Sequence, residues 1–225
     1  MMLVLTLLVR GGGAYEFTSK AELKAACEMW MTDQSTAQAT YGHISTFGTG
    51  QITDMSYLFC GNSLFTLLGC NAAFQNFDED VSGWDTGQVT DMSWMFAASS
   101  FDHNLNNWNT GRVTNMRNMF AWDHSFDQSL NSWDISSCTN MGEMFFHASS
   151  FDQQLCWDLS GVSDTTWMFA YSSGSIGGTC APTHAPTVST LPTPLPTSAC
   201  VVVDEGLDDA SIGAGWSDTA ITLYE

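Results

Sequence analysis

Tryptophan recurs through the middle of the chain at Trp84, Trp108, Trp133 and Trp157, at intervals of 24, 25 and 24 residues. Eight residues after each stands Met92, Met116, Met141 and then Thr165. Eleven after each stands Met95, Met119, Met144 and Met168, followed at once by Phe96, Phe120, Phe145 and Phe169. A second phenylalanine, trailed by aspartate, follows in Phe101-Asp102, Phe126-Asp127 and Phe151-Asp152, and Leu105, Leu130 and Leu155 close the units. An earlier copy puts Phe47 at the tryptophan position, with Met55, Leu58 and Phe59 in register, then Phe77, Asp78 and Val81 after an insertion that holds Cys60 and Cys70. This period constrains the fold more than any other feature, because a catalytic site needs one copy of its residues and a stack needs many copies of a contact.

A period of 24 to 25 residues predicts a repeat solenoid of about five units. Val89, Met92, Met95 and Phe96 fall at i, i+3, i+6 and i+7, one face of a short helix or 3₁₀ turn. Thr90, Thr114 and Thr139, each followed by Asp91, Asn115 or Asn140, suit the start of that helix. The Leu-x-x-Trp-x-Thr segment predicts a short strand pairing in parallel with its copies. No single unit can bury enough surface to stand alone, so neighbours must supply the remainder.

The segments around the repeats divide the chain further. Residues 1–14, apolar from Met1 to Val9 and small-residue-rich to Ala14, fit a secretory signal peptide without its basic start. That run is too short to span a bilayer, and no other segment is long enough. Residues 15–42 read as an N-terminal helical cap, with a helix over Lys20–Thr32 that presents Leu23, Ala26, Cys27 and Trp30 on one face after a Thr18-Ser19 cap. The repeats occupy 43–176. Residues 177–200, "TCAPTHAPTVSTLPTPLPTSAC" in the main, read as a Pro/Thr/Ser-rich linker. Residues 201–225 form an acidic C-terminal tail.

Five Lys and Arg face 24 Asp and Glu, a formal net charge of −19. Such a surface repels nucleic acid and anionic lipid and favours cations, basic partners or neutral sugars. Of seven cysteines, Cys138 holds a position filled by valine in the other units and reads as a small buried apolar residue. The remaining six leave room for three disulfides, and Cys60–Cys70, flanking one loop, is the easiest pair. With the apolar start, these cysteines favour an oxidising setting, secreted or at the cell surface.

The strings "WDTGQVTDMSWMF…FDHNL" and "WDISSCTNMGEMF…FDQQL" resemble the repeat of the BspA-like leucine-rich-repeat surface proteins, W-D-x-S-x-V-T-x-M-x-x-M-F then F-N/D-x-x-L. The resemblance runs from about Tyr41 to Ala170, and the preceding "FTSKAELKAACEMWMTDQSTAQATYGHIS" resembles that family's lead-in. Thr165 for Met, Phe47 for Trp and the cysteine loop depart from its pattern. It implies a leucine-rich-repeat-like solenoid, displayed outside the cell and used in adhesion or binding, with no catalytic residues to carry over.

Asp78, Asp102, Asp127 and Asp152 share one repeat position, so their carboxylates should form a ladder at strand spacing. They read first as turn caps accepting backbone N–H bonds. A bridging cation such as Ca²⁺ is the alternative, with Asp80 added where "DEDVSGWDTGQV" imitates half of an EF-hand loop. Val89 stands at that loop's twelfth position, where a bidentate Glu is needed. No other metal spacing, P-loop or nucleophile elbow is present, and no cofactor is expected. The aromatics outside the repeat core are the candidate binding surface. Tyr57, Trp94 and Trp167 share a position filled by Asn118 and Glu143 in the other units, which predicts exposure, and Trp122 and Phe146 sit in the variable loop. The expected function is a non-enzymatic module for adhesion or for binding a protein or glycan. A structural spacer or display scaffold is the alternative. A hydrolase is a third reading, for which no pair of acids stands out.

Overall fold

The computed structural model describes residues 14–63 and 69–177, all within Met1–Thr183, the first of two units into which the chain divides. The expected signal, linker and acidic tail lie outside the described residues, apart from Ala14 and Gly177. Two helices open the described part. Helix α1 spans Lys20–Thr32; the Ser19 side chain caps it by accepting from the Glu22 N–H, and Leu23, Ala26, Cys27 and Trp30 are its buried face. Helix α2, Gln34–Tyr41, follows directly and is capped by Asp33 through the Thr36 N–H.

The expected fold class, a leucine-rich-repeat-like solenoid whose units each pair a short strand with a short helix or 3₁₀ turn, is corrected. Among the described residues the only α-helices are α1 and α2, and the only sheet is two parallel strands of two residues, β1 (Gln154–Leu155) and β2 (Ser175–Ile176). No unit contains the helix that Val89, Met92, Met95 and Phe96 suggested. All four are fully buried, as a helix face would be. Their backbone, however, runs as overlapping turns spaced two residues apart: Met95 N–H to Met92 O, Ala97 N–H to Trp94 O, and Ser99 N–H to Phe96 O.

A helix would consume every N–H internally. Here the alternate N–H groups leave the segment. Those of Met92, Trp94, Phe96 and Ala98 donate to the carbonyls of Asn115, Arg117, Met119 and Ala121 at 2.8–2.9 Å. The pattern recurs between each adjacent pair of the segments 54–61, 91–98, 115–122, 140–147 and 164–171, hereafter rows, giving four bonds at each junction. Isolated parallel bridges link Asp54, Asp91, Asn115, Asn140 and Asp164 at the row starts. Each of these carboxylates or amides accepts the N–H two residues on, as in Asp91 to Ser93 at 2.8 Å. The threonine hydroxyls do not cap helices: Thr114 and Thr139 each donate, by hydroxyl and by N–H, to the carbonyl of the threonine one unit earlier.

Turns spaced by two residues need left-handed backbone, and it falls on residues other than glycine. Tyr57, Trp94, Asn118, Glu143 and Trp167 have φ of 55–60°, and Ala98, Trp122, His147 and Tyr171, four residues further on in their rows, have φ of 54–63°. Each costs roughly 1–2 kcal/mol against glycine, which the inter-row bonds and the core must outweigh. Ala98→Gly should therefore stabilise the protein by about 1 kcal/mol, a rise of roughly 3 °C in Tm. A lowered Tm in a thermal melt would contradict the strain argument.

Three columns of rings fill the interior. Phe59, Phe96, Phe120, Phe145 and Phe169 stack with centroids 5.4–5.7 Å apart. Phe77, Phe101, Phe126 and Phe151 form a second column at 6.0–6.3 Å. Trp108, Trp133 and Trp157 form a third at 6.4 Å. The indole N–H of each of these tryptophans donates to a carbonyl of the preceding unit (Val81, Leu105 and Leu130), so a large ring is buried with its polar atom satisfied. Glycine is needed at Gly61, where a Cβ would lie 2.4 Å from the Ala98 carbonyl oxygen.

Cys60 and Cys70 form a disulfide. Cys138 is buried and free, at the valine position. The room for three disulfides among the other six cysteines is not filled at Cys27, which is free and buried on the core face of α1. Cys156 is disulfide-bonded, and no described cysteine is its partner.

Candidate functional site

The left-handed positions, two in each row after the first and Tyr57 alone in the first, mostly turn their side chains outward, and the sequence places aromatic residues at many of them. Tyr57 stacks on Trp94 with centroids 5.8 Å apart and planes 9° apart. Trp94 stacks on Trp122 at 6.2 Å, and Trp122 on His147 at 6.3 Å. His147 stacks on Tyr171 at 4.2 Å, and Phe146, edge-on to Trp122, stacks on Trp167 at 6.2 Å. All five aromatics singled out from the sequence (Tyr57, Trp94, Trp122, Phe146 and Trp167) thus belong to one continuous strip across five rows. His147 and Tyr171 belong to it as well and were missed. The available signal was their place four residues after Glu143 and Trp167, matching Trp122 after Asn118.

Exposure rises toward the last row. Tyr57, Trp94, Trp122, Phe146 and His147 are half-buried, whereas Trp167 is 64% and Tyr171 70% exposed. Each inner ring has aromatic neighbours toward both adjoining rows or packs against the Cys60–Cys70 disulfide, as Tyr57 and Trp94 do. The expectation that the shared position is exposed fails at Asn118, which is fully buried and donates from its amide to Glu143 Oε2 at 3.3 Å. Glu143 also pairs with Arg117, whose other guanidinium nitrogen reaches Asp164 at 3.3 Å. This charged cluster interrupts the file of rings where Trp122 carries the stacking past it. Burial, and then the Asp91 carboxylate, push the Tyr57 hydroxyl above its usual range.

The aspartate ladder is built differently from the expected turn caps. Asp78 Oδ1 accepts the Asp102 N–H, Asp102 Oδ1 the Asp127 N–H, and Asp127 Oδ1 the Asp152 N–H, at 2.9–3.0 Å. The N–H groups come from the next unit, not from each residue's own turn. Gln128 and Gln153 add side-chain donors at 2.9 Å to Asp102 and Asp127. Backbone and amide donors thus offset the mutual repulsion of the carboxylates. Asp80 accepts the Ser82 N–H in a local turn, and the Ser82 side chain, then this N–H, hold its carboxyl below the usual range. Among the described residues no group of three or more His, Cys, Asp or Glu is placed to hold a metal ion.

A family model described as "Mycoplasma protein of unknown function, DUF285" matches residues 67–176. No curated protein and no solved structure matches the chain. The matched segment contains four of the five rows and every aromatic of the strip except Tyr57. Helices α1 and α2 and row 54–61 lie outside it. Among the described residues no helix is long and apolar enough to cross a membrane.

Proposed function

We propose that this chain is a secreted or surface-exposed, non-enzymatic module that binds a protein or glycan through its aromatic strip. One observation carries the reading. Ala98, Asn118 and Glu143 adopt the same left-handed backbone as Tyr57, Trp94, Trp122, His147, Trp167 and Tyr171, so the fold does not require aromatic side chains there. Large rings at positions that accept alanine, asparagine or glutamate are the kind of surface that anchors a partner. The Cys60–Cys70 disulfide supports an oxidising compartment, and the net charge of −19 weighs against a nucleic-acid partner.

The test is a screen of the full chain on protein and glycan arrays, followed by affinity measurements on each hit. Trp94→Ala and Trp167→Ala should each weaken a genuine hit by roughly 30-fold, the scale of an interface anchor. The second reading, a rigid spacer that displays something else, is favoured by the hydrogen-bond ladder that ties all five rows together. It takes over if no ligand is found or if both variants bind as the wild type does.

A further inference from the structure

We propose that the last row of the stack is a binding site for a neutral glycan. This rests on the reading above and narrows it to one end of the strip and one ligand class. The inter-row bonds all run the same way: in every row the N–H groups face the following row and the paired carbonyls face the preceding one. At the first row both lysines of the chain, on α1, bond to the row. Lys20 bonds to Asp54 and Ser56, and Lys24 to the carbonyls of Tyr57 and Gly69. At row 164–171 the corresponding N–H groups of Thr165, Trp167, Phe169 and Tyr171 have no acceptor among the described residues. They form a row of four backbone donors, between which the carbonyls of Thr165, Trp167 and Phe169 are taken up by local turns.

The donors open beside a cleft of about 440 Å³, within the range of small-ligand sites, lined by Leu159, Trp167, Met168, Phe169, Gly174 and Ile176. Trp167, Tyr171 and Ile176 are the exposed large apolar residues among the described ones, and all belong to this end. Trp167 stacks on Phe146 and Tyr171 on His147, both toward the preceding row, so each keeps one ring face toward open space. The inner rings of the strip lack such a face.

Donor geometry and charge select the ligand. An ordinary β-strand added to this edge would leave its own N–H groups facing donors, at a cost for each unpaired group. A second copy of the chain would have to dock its first row here, where the Cys60 carbonyl is already taken by the Asn71 N–H and the lysines of α1 bond to Asp54, Ser56 and Tyr57. An anionic ligand meets Asp158 and Asp164, both held below the usual carboxylate range chiefly by the backbone N–H of Ser160 and of Thr166 respectively, on a chain of net charge −19. A neutral sugar satisfies all three constraints. Its hydroxyl and ring oxygens accept from the N–H row, and its C–H face lies on the open rings of Trp167 and Tyr171.

The experiment is an amide-resolved NMR titration of the full-length chain with neutral hexasaccharides of β-1,3-glucan, β-1,4-glucan and β-1,4-mannan, and with a sulfated hexasaccharide. We expect at least one neutral sugar to shift the Thr165, Trp167, Phe169 and Tyr171 amides together. Trp167→Ala and Tyr171→Ala should weaken that binding at least tenfold. Both side chains are mostly exposed, so these variants keep the core. Asn107→Ala, an exposed substitution outside the strip, should leave sugar binding unchanged. The inference is overturned if no neutral sugar moves those four amides, if the sulfated sugar binds as well as the neutral ones, or if Trp167→Ala and Tyr171→Ala bind the sugar as the wild type does. A protein hit that depends on Trp94 while the sugars fail leaves the earlier reading standing and removes this one.

Discussion

Phe120→Ala should destabilise the protein by about 4 kcal/mol, at the upper end for a core phenylalanine, and lower Tm by roughly 10 °C. Phe120 is fully buried in the middle of the main ring column, 5.6 Å from Phe96, 5.7 Å from Phe145 and 3.9 Å from Phe126. Its loss opens a void that the neighbouring rows cannot close, because hydrogen bonds on both sides fix their spacing. Phe169 ends the same column and stacks on Phe145 alone within it. It is half-buried, so Phe169→Ala should cost only roughly 1.5 kcal/mol. Urea unfolding of the two variants measures the contrast directly. Equal losses would mean that stability does not depend on position along the column, and that the account of stacking given above is wrong.

The second large effect is a pH dependence centred on Asp123. This carboxylate is fully buried and accepts from the Ser125 and Phe126 N–H groups, the Ser99 hydroxyl and the Phe101 N–H. Burial pushes its carboxyl up to about 7, and the four donors pull in the opposite direction. In the unfolded chain an aspartate titrates near 3.9. Below about pH 4 both states hold the proton and Asp123 contributes no pH dependence. As pH rises toward about 7 the folded state still holds a proton that the unfolded state has released, so folding grows less favourable by about 1.4 kcal/mol per pH unit. The accumulated loss is roughly 4 kcal/mol, and it levels off above about pH 7. In Asp123→Asn that component disappears. The wild-type stability curve should therefore fall more steeply than the variant's between pH 4.5 and 7, measured by urea unfolding at fixed ionic strength. The other carboxylates of this acidic chain contribute equally to both curves, so only the difference is diagnostic. Parallel curves would show that the four donors keep Asp123 ionised despite its burial.

The residues that pack were legible in the sequence, and the backbone that carries them was not. Ser19 followed by the spacing of Leu23, Ala26, Cys27 and Trp30 marks α1, because a cap and a helical face are local properties. Val89, Met92, Met95 and Phe96 also mark a buried face. Their spacing is equally compatible with turns two residues apart, and what decides between the two conformations is the destination of the N–H groups. That depends on a neighbour 24 residues away, which periodicity alone does not report. Left-handed backbone at tryptophan and glutamate ran against residue preference, since such positions ordinarily call for glycine or asparagine. The same blind spot hid His147 and Tyr171 from the aromatic strip. Those two positions emerge only when each row is read as a pair of outward-turning residues four apart. The aspartate ladder was visible as a position but not as a mechanism, because its donors come from the following unit.

The one-way ladder also bears on how such a chain can change its length. Each row offers donors on one side and acceptors on the other at the same spacing, so any row can follow any other. A gene that gains or loses one 24- or 25-residue period by unequal exchange leaves matching edges at the new junction, and no row has to be reversed. The chain already shows this latitude. The loops after the rows hold the Cys60–Cys70 insertion and the extra residue that makes one period 25 rather than 24, while the rows themselves stay in register. Growth by whole periods leaves α1 beside the first row and the donor row at the last, however many copies lie between.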